Sequence, residues 1–366
     1  MTKRKIIYIG GFELPDKNAA AIRVMENAKA ISSLNKTVVF IGITKNEDKI
    51  KKDDSYESYA IKYPSNIFEW IRYIFGAKNI VSIIKNQKNV EGVILYNYPS
   101  FSMKKIMNYC KKNSIKVYGD ITEWYIPEKK NLLFRIIKKI DVNYRMKYLN
   151  NELDGMILIS KYLMEYYAKH KNIIYVPVLT DIENPKWINN FKKDKNVMRL
   201  VYAGNIENKD NINIIIEALE FVNRKYVFDI IGINKEDFLK KFPYLKEKID
   251  KNDKIVFHGR LANSATLEYI KKANYTIFFR EKNIMTLAGF PSKLVESLSC
   301  GTPVITNSSS NIEDYFINNT NGFCLKKVDI SEIVNLIENI DYEMNTEVDA
   351  FDYRKYINVF ESMLNK

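Results

Sequence analysis

Short apolar runs that suit β-strands alternate with longer helical patterns along almost the whole chain. This alternation is typical of βαβ units, in which helices cover both faces of a parallel sheet. Most of the runs are continuous blocks of apolar residues, as expected for strands that are buried on both faces. The pattern therefore predicts an α/β fold. The predicted strands cover residues 5–9, 37–43, 92–96, 115–118, 155–159, 173–176, 200–203, 227–231, 255–257, 276–279, 304–306 and 323–325.

A polar segment without periodicity divides these strands into two series. It covers residues 180–196, contains Pro185 and is typical of a linker. Each series predicts a Rossmann-like domain, and two open parallel sheets that face each other would form one central cleft. Tyr353, Ile357, Phe360 and Leu364 form one apolar stripe, which predicts a C-terminal helix that packs back. The predicted divisions are a first domain at 1–180, a linker at 181–196, a second domain at 197–345 and a terminal helix at 346–366.

The net excess of positive charge lies in the first half of the chain. The chain has 57 basic and 44 acidic residues, a net charge of +13; residues 1–180 hold 31 basic and 17 acidic residues, and residues 181–366 hold 26 and 27. This asymmetry indicates either an anionic partner of the first half or a lysine-rich compositional bias. Aromatic, aliphatic and basic residues interleave at 68–88 and 129–148, which favours an anionic membrane surface, with lysines that snorkel over a covered sheet as the alternative. Nucleic acid is disfavoured because no recognised binding module accompanies the charge.

Several other classes are excluded by residue counts and spacing. Cys110, Cys300 and Cys324 have no paired spacing, so neither a disulfide framework nor a zinc site is expected, and a reducing cytosol is the natural compartment. The apolar run after the basic N-terminus is too short for a signal peptide, and no run is long enough to span a membrane. Gly10 and Gly11 follow the first strand without a GxGxxG pattern, so no dinucleotide cofactor is expected.

The segment AGFPSKLVESLSCGTPVIT, residues 288–306, is the most informative part of the chain. Pro291 and Gly301 predict a helix between them, from Ser292 to Cys300. The start of such a helix suits a phosphate group, and Lys293 adds a cation there. Glu296, one turn further, could accept hydrogen bonds from vicinal sugar hydroxyls. The alternative is an ordinary solvated lysine–glutamate pair.

This segment resembles the G-x-P-x-x-x-x-E-A-x-x-x-G-x-P-V motif of retaining glycosyltransferases of family 4, which have a GT-B fold of two facing Rossmann-like domains. The resemblance implies that Glu296 holds the nucleotide ribose. The first glutamate of the family's pair falls on Ala288, so recognition of the donor sugar would depend more on the backbone around Ala288, Gly289 and Phe290. The matching positions are Gly289, Phe290, Pro291, Ser292, Lys293, Glu296, Gly301, Thr302, Pro303 and Val304.

Residues 200–219 resemble the strand, glycine turn and helix that open the donor domain of the family. The resemblance implies that Gly204 allows close approach of the donor and that Lys209 holds the diphosphate, with Asn205 where the family often has arginine. Lys293 and Arg280 would share the phosphate charge, although each of these cations could be an ordinary surface residue. His258 and Gly259 resemble the turn beside the base, where backbone contacts are expected and the His258 ring is more structural than catalytic.

The resemblance implies that the first domain binds the acceptor. Its glycine loop, Gly10 and Gly11, would approach the reacting sugars, and Arg23 could face the cleft. The predicted strand at 115–118 is followed by GDITEWY, in which Asp120 or Glu123 could orient the acceptor hydroxyl and Trp124 or Tyr125 could stack on a sugar. Capping by Asp120 and core packing by Trp124 are the alternatives.

These expectations combine into a glycosyltransferase that moves a sugar from a nucleotide diphosphate donor to a glycan acceptor, carried on a lipid diphosphate, in the synthesis of a cell-surface polysaccharide such as a capsule or lipopolysaccharide. The enzyme would be cytoplasmic and peripheral at the inner face of the plasma membrane. No D-x-D triplet occurs, so neither a metal nor another cofactor is expected. Two alternatives remain: a catalytically silent GT-B subunit that binds glycan or supports a partner transferase, and a sugar-nucleotide 2-epimerase.

Overall fold

A computed structural model describes residues 3–44, 51–53, 56–126, 132–204, 210–316 and 320–366 of the chain. It divides into two compact units. Unit 1 consists of Met1–Leu179 and Tyr353–Lys366, and unit 2 consists of Thr180–Asp352. None of the helices in the described ranges is long and apolar enough to cross a lipid bilayer.

Unit 1 contains an eight-stranded sheet in the order β3-β4-β2-β1-β5-β6-β7-β8, in which only the β3–β4 pair is antiparallel. Its strands are β1 Arg4–Gly10, β2 Lys36–Thr44, β3 Lys51–Asp53, β4 Tyr56–Lys62, β5 Val90–Tyr96, β6 Lys116–Ile121, β7 Gly155–Leu158 and β8 Ile173–Tyr175. Its first six helices are α1 Ala19–Ser32, α2 Ile67–Phe75, α3 Lys78–Asn86, α4 Ser100–Lys112, α5 Leu132–Lys147 and α6 Lys161–Tyr166.

The sequence of β1 explains why it lies at the centre of this sheet. Its residues from Ile6 to Gly10 are buried, and β2 and β5 flank it in parallel. Helix α1 begins where the Asn18 side chain accepts a hydrogen bond from the Ala21 amide, which satisfies one of the free donors at the helix start. The last helix, α14 Ile357–Leu364, packs on α1 and β8 and buries Phe360. The terminal helix is thus shorter than the predicted 346–366: residues 353–366 form part of unit 1, and residues 346–352 belong to unit 2.

Unit 2 contains a six-stranded parallel sheet in the order β11-β10-β9-β12-β13-β14. Its strands are β9 Met198–Ala203, β10 Tyr226–Ile231, β11 Ile255–Gly259, β12 Tyr275–Ile277, β13 Val304–Asn307 and β14 Gly322–Leu325. Its helices are α7 Ile212–Leu219, α8 Lys235–Lys241, α9 Lys246–Asp250, α10 Asn263–Lys272, α11 Ile284–Ala288, α12 Ser292–Ser299 and α13 Ile330–Asn339.

All twelve predicted strands are confirmed, with ends that shift by up to three residues. Strands β3 and β4 at the sheet edge were not predicted. The segment predicted as a linker forms part of unit 2, where a short 3₁₀ helix at Pro185–Trp187 places Trp187 against the core.

Candidate active site

Helix α12 forms where the residues at 291 and 301 predict it. Pro291 precedes its first residue, Ser292, and Gly301 follows it with φ +68°, a left-handed conformation that favours glycine. Leu294 is buried on the inner face of the helix, and Lys293 lies on another face. The helix therefore presents Lys293 near its start, as expected.

Lys293 reaches the carboxyl edge of the unit 2 sheet. Its Nζ lies 2.7 Å from Oδ2 of Asp210, and the Tyr202 hydroxyl donates a hydrogen bond of 2.7 Å to the same oxygen. Gly204, directly after β9, has φ +150°, and a Cβ there would lie 2.4 Å from Cε of Lys293. Gly204 thus provides both the backbone conformation and the space that the lysine side chain occupies.

Asp210 is the functional candidate that sequence reasoning missed. Its side chain is 1% exposed, that of Lys293 is 15% exposed, and its Oδ1 accepts no hydrogen bond within the described part of the chain. The buried carboxylate therefore fixes the position of the Lys293 ammonium. Only the position of Asp210 directly after Lys209 could have drawn attention to it.

Arg280 joins this group through its backbone. It forms an isolated antiparallel β-bridge with Asp210. The Asn307 side chain makes two hydrogen bonds to the Arg280 backbone: Arg280 N donates to Asn307 Oδ1 at 2.8 Å, and Asn307 Nδ2 donates to Arg280 O at 2.9 Å. Gly204, Arg280 and Asn307 belong to the carboxyl ends of β9, β12 and β13, which are adjacent strands. The structure thus brings Gly204, Arg280 and Lys293 together at the edge where open parallel sheets bind ligands.

Glu296 lies one turn along α12 from Lys293. Burial raises the pKa of its carboxyl group, while Lys293 and Lys186 act in the opposite direction. The side chain keeps some exposure, so its oxygens can accept hydrogen bonds from a ligand.

The backbone from Ala288 to Phe290 offers less to a ligand than the resemblance implied. Ala288 is fully buried at the end of α11, and the Gly289 amide donates to Met285 O at 3.2 Å. The Phe290 ring packs edge-on against Tyr315, with ring centroids 5.7 Å apart. The contacts of these residues thus hold the chain in place just before α12 begins.

The His258 ring is held by the scaffold. Its Nε2 lies 2.7 Å from Oδ1 of Asp229, and its Nδ1 lies 3.2 Å from the Tyr269 hydroxyl. Asp229 also pairs with Arg199 at 2.9 Å. Gly259 has φ +66°, and no atom of the described residues lies within 4 Å of where its Cβ would be. The ring contacts favour a structural role for His258 and leave the Gly259 turn open.

Asn205 and Lys209 lie outside the described residues, which resume at Asp210. The assignment of Lys209 to the diphosphate stays a prediction.

In unit 1 the structure pairs Arg23 with Asp120 inside the core. Arg23 donates three hydrogen bonds of 2.8–3.1 Å to the carboxylate, and Tyr8 and Asn27 donate to it at 2.5 and 3.3 Å. Arg23 is 2% exposed, Asp120 is fully buried, and the interactions with Asp120 raise the Arg23 pKa against the opposing effect of burial. Strand β6 continues past the predicted end at Tyr118, so Asp120 lies inside the strand. The geometry therefore gives both residues a structural role in place of the predicted contact with an acceptor.

The other acceptor-side candidates differ in exposure. Glu123 and Tyr125 are exposed, whereas Trp124 is buried with its ring edge-on to Tyr166 at 4.9 Å. Glu123 and Tyr125 can thus meet a ligand, and Trp124 packs in the core.

The two glycines after β1 have different surroundings. A Cβ on Gly10 would lie 2.7 Å from Cβ of Tyr96, whereas Gly11 is exposed and no atom of the described residues lies within 4 Å of where its Cβ would be. Gly10 is therefore required by packing against β5, and Gly11 is the one that a ligand could approach.

The described ranges contain no group of three or more His, Cys, Asp or Glu side chains that could hold a metal ion.

Residues 181–347 match the family model of glycosyl transferases group 1. This range lies within unit 2, so the match concerns the unit that carries Lys293 and Glu296. The match supports the predicted glycosyltransferase. No curated protein matches the chain.

Solved structures resemble the chain over nearly its whole length. Sucrose-phosphate synthase from Thermosynechococcus elongatus has a TM-score of 0.67 and 13% identity, with 99% of this chain and 97% of that chain covered. The lipopolysaccharide outer core galactosyltransferase WaaB has a TM-score of 0.64 and 17% identity, with 99% of both chains covered. Anabaena HepE in complex with UDP-glucose has a TM-score of 0.62 and 11% identity, with 98% and 99% covered. At these identities the likeness concerns the fold, and it confirms two Rossmann-like domains of GT-B type.

Proposed function

Because residues 181–347 match the glycosyl transferases group 1 family, we propose that the chain transfers a hexosyl group from a nucleotide diphosphate sugar to a hydroxyl group of a glycan acceptor. The observation that carries this proposal is the Lys293 ammonium, which Asp210 holds 2.7 Å away at the carboxyl edge of the sheet. A cation already fixed there can stabilise the charge of a departing nucleoside diphosphate without reorganisation.

The chemistry follows from this arrangement. Lys293, Arg280 and Lys209 would bind the diphosphate, and Glu296 would hold the ribose hydroxyls. The bond from the anomeric carbon to the diphosphate breaks, and the acceptor oxygen bonds to the same carbon on the same face, with retention. The acceptor proton passes to a phosphate oxygen of the leaving group. Since the sequence lacks a D-x-D triplet, the basic residues carry the leaving-group charge in this proposal, without a metal.

The surface of unit 1 supports a membrane-bound acceptor. Phe68 on α2 is 76% exposed, and Leu132, Ile136 and Ile140 form an exposed stripe along α5. The Trp70 and Phe134 rings, 5.9 Å apart, join the two helices, and exposed Arg135 and Lys139 lie beside the stripe. Apolar side chains flanked by cations suit an anionic bilayer surface. We therefore place the enzyme at the cytoplasmic face of the plasma membrane, where it would extend a lipid-linked precursor of a capsule or lipopolysaccharide.

Donor binding is the first test. UDP-glucose is the first donor to test, since HepE was solved with it, followed by other UDP and GDP sugars in a titration calorimeter. One nucleotide sugar should bind saturably, and Glu296→Ala should weaken it while Glu268→Ala, on the exposed face of α10, leaves it unchanged. Failure of every nucleotide to bind would favour a catalytically silent subunit. Conversion of the donor to an epimer without an acceptor would favour the 2-epimerase.

Sedimentation with liposomes tests the membrane surface. Vesicles that contain phosphatidylglycerol should retain the protein at low salt and release it at high salt, and neutral vesicles should not bind it. The Phe68→Ser/Ile136→Ser variant should bind less, whereas Phe221→Ser, which changes an exposed aromatic residue of unit 2, should behave as the wild type. Equal binding by the two variants would contradict the assignment of this surface.

A further inference from the structure

Unit 1 contains a large apolar cavity that the candidate active site does not use. Its volume is about 910 Å³, and it lies among the end of β4, helices α2 and α3 and the outer face of α4. Ile43, Ile61, Pro64, Ile80 and Val81 provide much of its lining. The volume falls at the upper end of the roughly 300–1,000 Å³ typical of sites that enclose a small-molecule ligand.

Two tyrosines line the cavity without using their hydroxyl groups. The rings of Tyr73 and Tyr98 lie edge-on, 5.9 Å apart, and burial raises the pKa of both phenols. Tyr98 is 2% exposed. Neither hydroxyl has a hydrogen-bond partner within the described ranges, and neither oxygen is fully buried, so both can be reached from the cavity or the solvent. These hydroxyls are available to a bound ligand.

The rim of the cavity is strongly basic. Among the described residues, five cations and one carboxylate border it, and the carboxylate, Glu69, already accepts hydrogen bonds from the Ser65 amide and hydroxyl. Arg72, Lys78 and Lys112 form no ion pair within the part of the chain that the structure describes. The five cations are Lys62, Arg72, Lys78, Lys105 and Lys112.

An apolar interior with a cationic rim matches an amphipathic anion. We propose that the cavity binds the hydrocarbon chain of a lipid phosphate or diphosphate, with the phosphate at the basic rim. On the proposed function, on which this identification rests, the lipid is the carrier of the glycan acceptor. Hydrocarbon would replace poorly bonded water in the interior, and the rim would neutralise the phosphate charge.

The position of α2 supports a lipid over a soluble amphiphile. One face of this helix lines the cavity through Arg72 and Tyr73, while Phe68, Ile71 and Phe75 on the same helix are exposed to solvent. The apolar surface proposed to meet the membrane is thus continuous with the cavity. A lipid could enter from the bilayer without exposing its chain to water.

Geranylgeranyl diphosphate is a suitable probe in titration calorimetry, with geranylgeraniol and inorganic diphosphate as comparisons. The wild type should bind geranylgeranyl diphosphate with one saturable site, and each comparison compound much more weakly. Val81→Trp, which fills the cavity, should lower the affinity about tenfold or more. Lys112→Glu should lower the affinity about fivefold at low salt. Lys111→Glu, which changes the preceding residue of α4 that is not part of the rim, should change the affinity little.

Absence of saturable binding would overturn the proposal, as would unchanged affinity in Val81→Trp or equally tight binding of geranylgeraniol. A wild-type Tm in calorimetric unfolding reports that each variant is folded, and binding of the nucleotide sugar reports separately on the site in unit 2. Binding of the nucleotide sugar without the lipid would refute the cavity proposal alone. The expected lipid binding without any nucleotide binding would support the cavity and refute the proposed function.

Discussion

Replacing Lys293 with methionine removes the cation that faces Asp210 but keeps a side chain of similar length. The Asp210 carboxylate is 1% exposed, so it would remain buried with one hydrogen bond from the described residues, donated by the Tyr202 hydroxyl. Removal of one partner of a buried ion pair typically costs about 3–5 kcal/mol of unfolding free energy. Because the Lys293 side chain is 15% exposed, we expect the lower end of that range, about 3 kcal/mol.

Calorimetric unfolding can measure this loss. For a unit of this size, about 3 kcal/mol corresponds to a fall in Tm of roughly 6–12 °C. The double variant Lys293→Met/Asp210→Asn should recover most of the fall, because the asparagine carries no charge and its side-chain oxygen can still accept the Tyr202 hydrogen bond. If Lys293→Met melted with the wild type, or if the double variant melted no higher than Lys293→Met, the stabilising role of this pair would be refuted.

Nucleotide binding separates stability from function in the same variants. A charge-assisted hydrogen bond contributes about 1.5–3 kcal/mol, so both variants should bind UDP roughly 10- to 100-fold more weakly than the wild type. The double variant should therefore be stable and still defective. UDP binding by the double variant at the wild-type affinity would show that Lys293 does not contact the diphosphate.

Three further substitutions give distinct results. Glu296→Gln should raise Tm at pH 7.5 but not near pH 4. Burial raises the pKa of the Glu296 carboxyl group in the folded state, so the wild type loses stability as pH rises above the pKa of the unfolded state, whereas glutamine does not titrate. Arg23→Met should lower the unfolding free energy in urea by about 3–5 kcal/mol, because the Asp120 carboxyl group is left in the core without its cationic partner, while the folded protein binds UDP normally. Gly204→Ala should weaken UDP binding in calorimetry, since its Cβ would displace Lys293 and strain the backbone by about 1–3 kcal/mol.

Each of these has a matched comparison. A constant difference in Tm between Glu296→Gln and wild type across that pH range would contradict the raised pKa. Arg23→Met/Asp120→Asn should regain stability, and no gain would exclude a stranded charge as the cause. Gly301→Ala also places a side chain at a positive φ, but no atom lies closer than 3.7 Å, so it should affect UDP binding less than Gly204→Ala.

The strands could be predicted from the sequence because most of them are covered on both faces and therefore appear as continuous apolar runs. Strand β4, Tyr56–Lys62, lies next to the edge and has no buried position, so its sequence YESYAIK gives no such run. Its place in the sheet comes from pairing with β2, from Val39 opposite Glu57 to Thr44 opposite Lys62. Tertiary pairing of this kind leaves little trace in local sequence.

The same reasoning explains which site residues could be predicted. Helix α12 follows from Pro291 and Gly301, which act locally. The contact between Asp210 and Lys293 arises because the sheet places β9 beside β12 and packs α12 near both, which local patterns do not encode. Asp120 was misplaced because β6 continues to Ile121, three residues beyond the predicted end. That extension moves the carboxylate from the sheet edge into the core.

The two units use their cations differently, and this difference refines the meaning of the charge asymmetry. In unit 2 two cations have buried acidic partners, Lys293 with Asp210 and Arg199 with Asp229, so these pairs fix geometry with little net field. Among the described residues around the unit 1 cavity, cations such as Lys78 outnumber carboxylates, so their fields add and extend into solvent. A paired cation suits a ligand that must be held in one position. An excess of cations at an apolar rim suits an anion that arrives from a surface, because attraction over about 10 Å needs charge that no neighbour has neutralised.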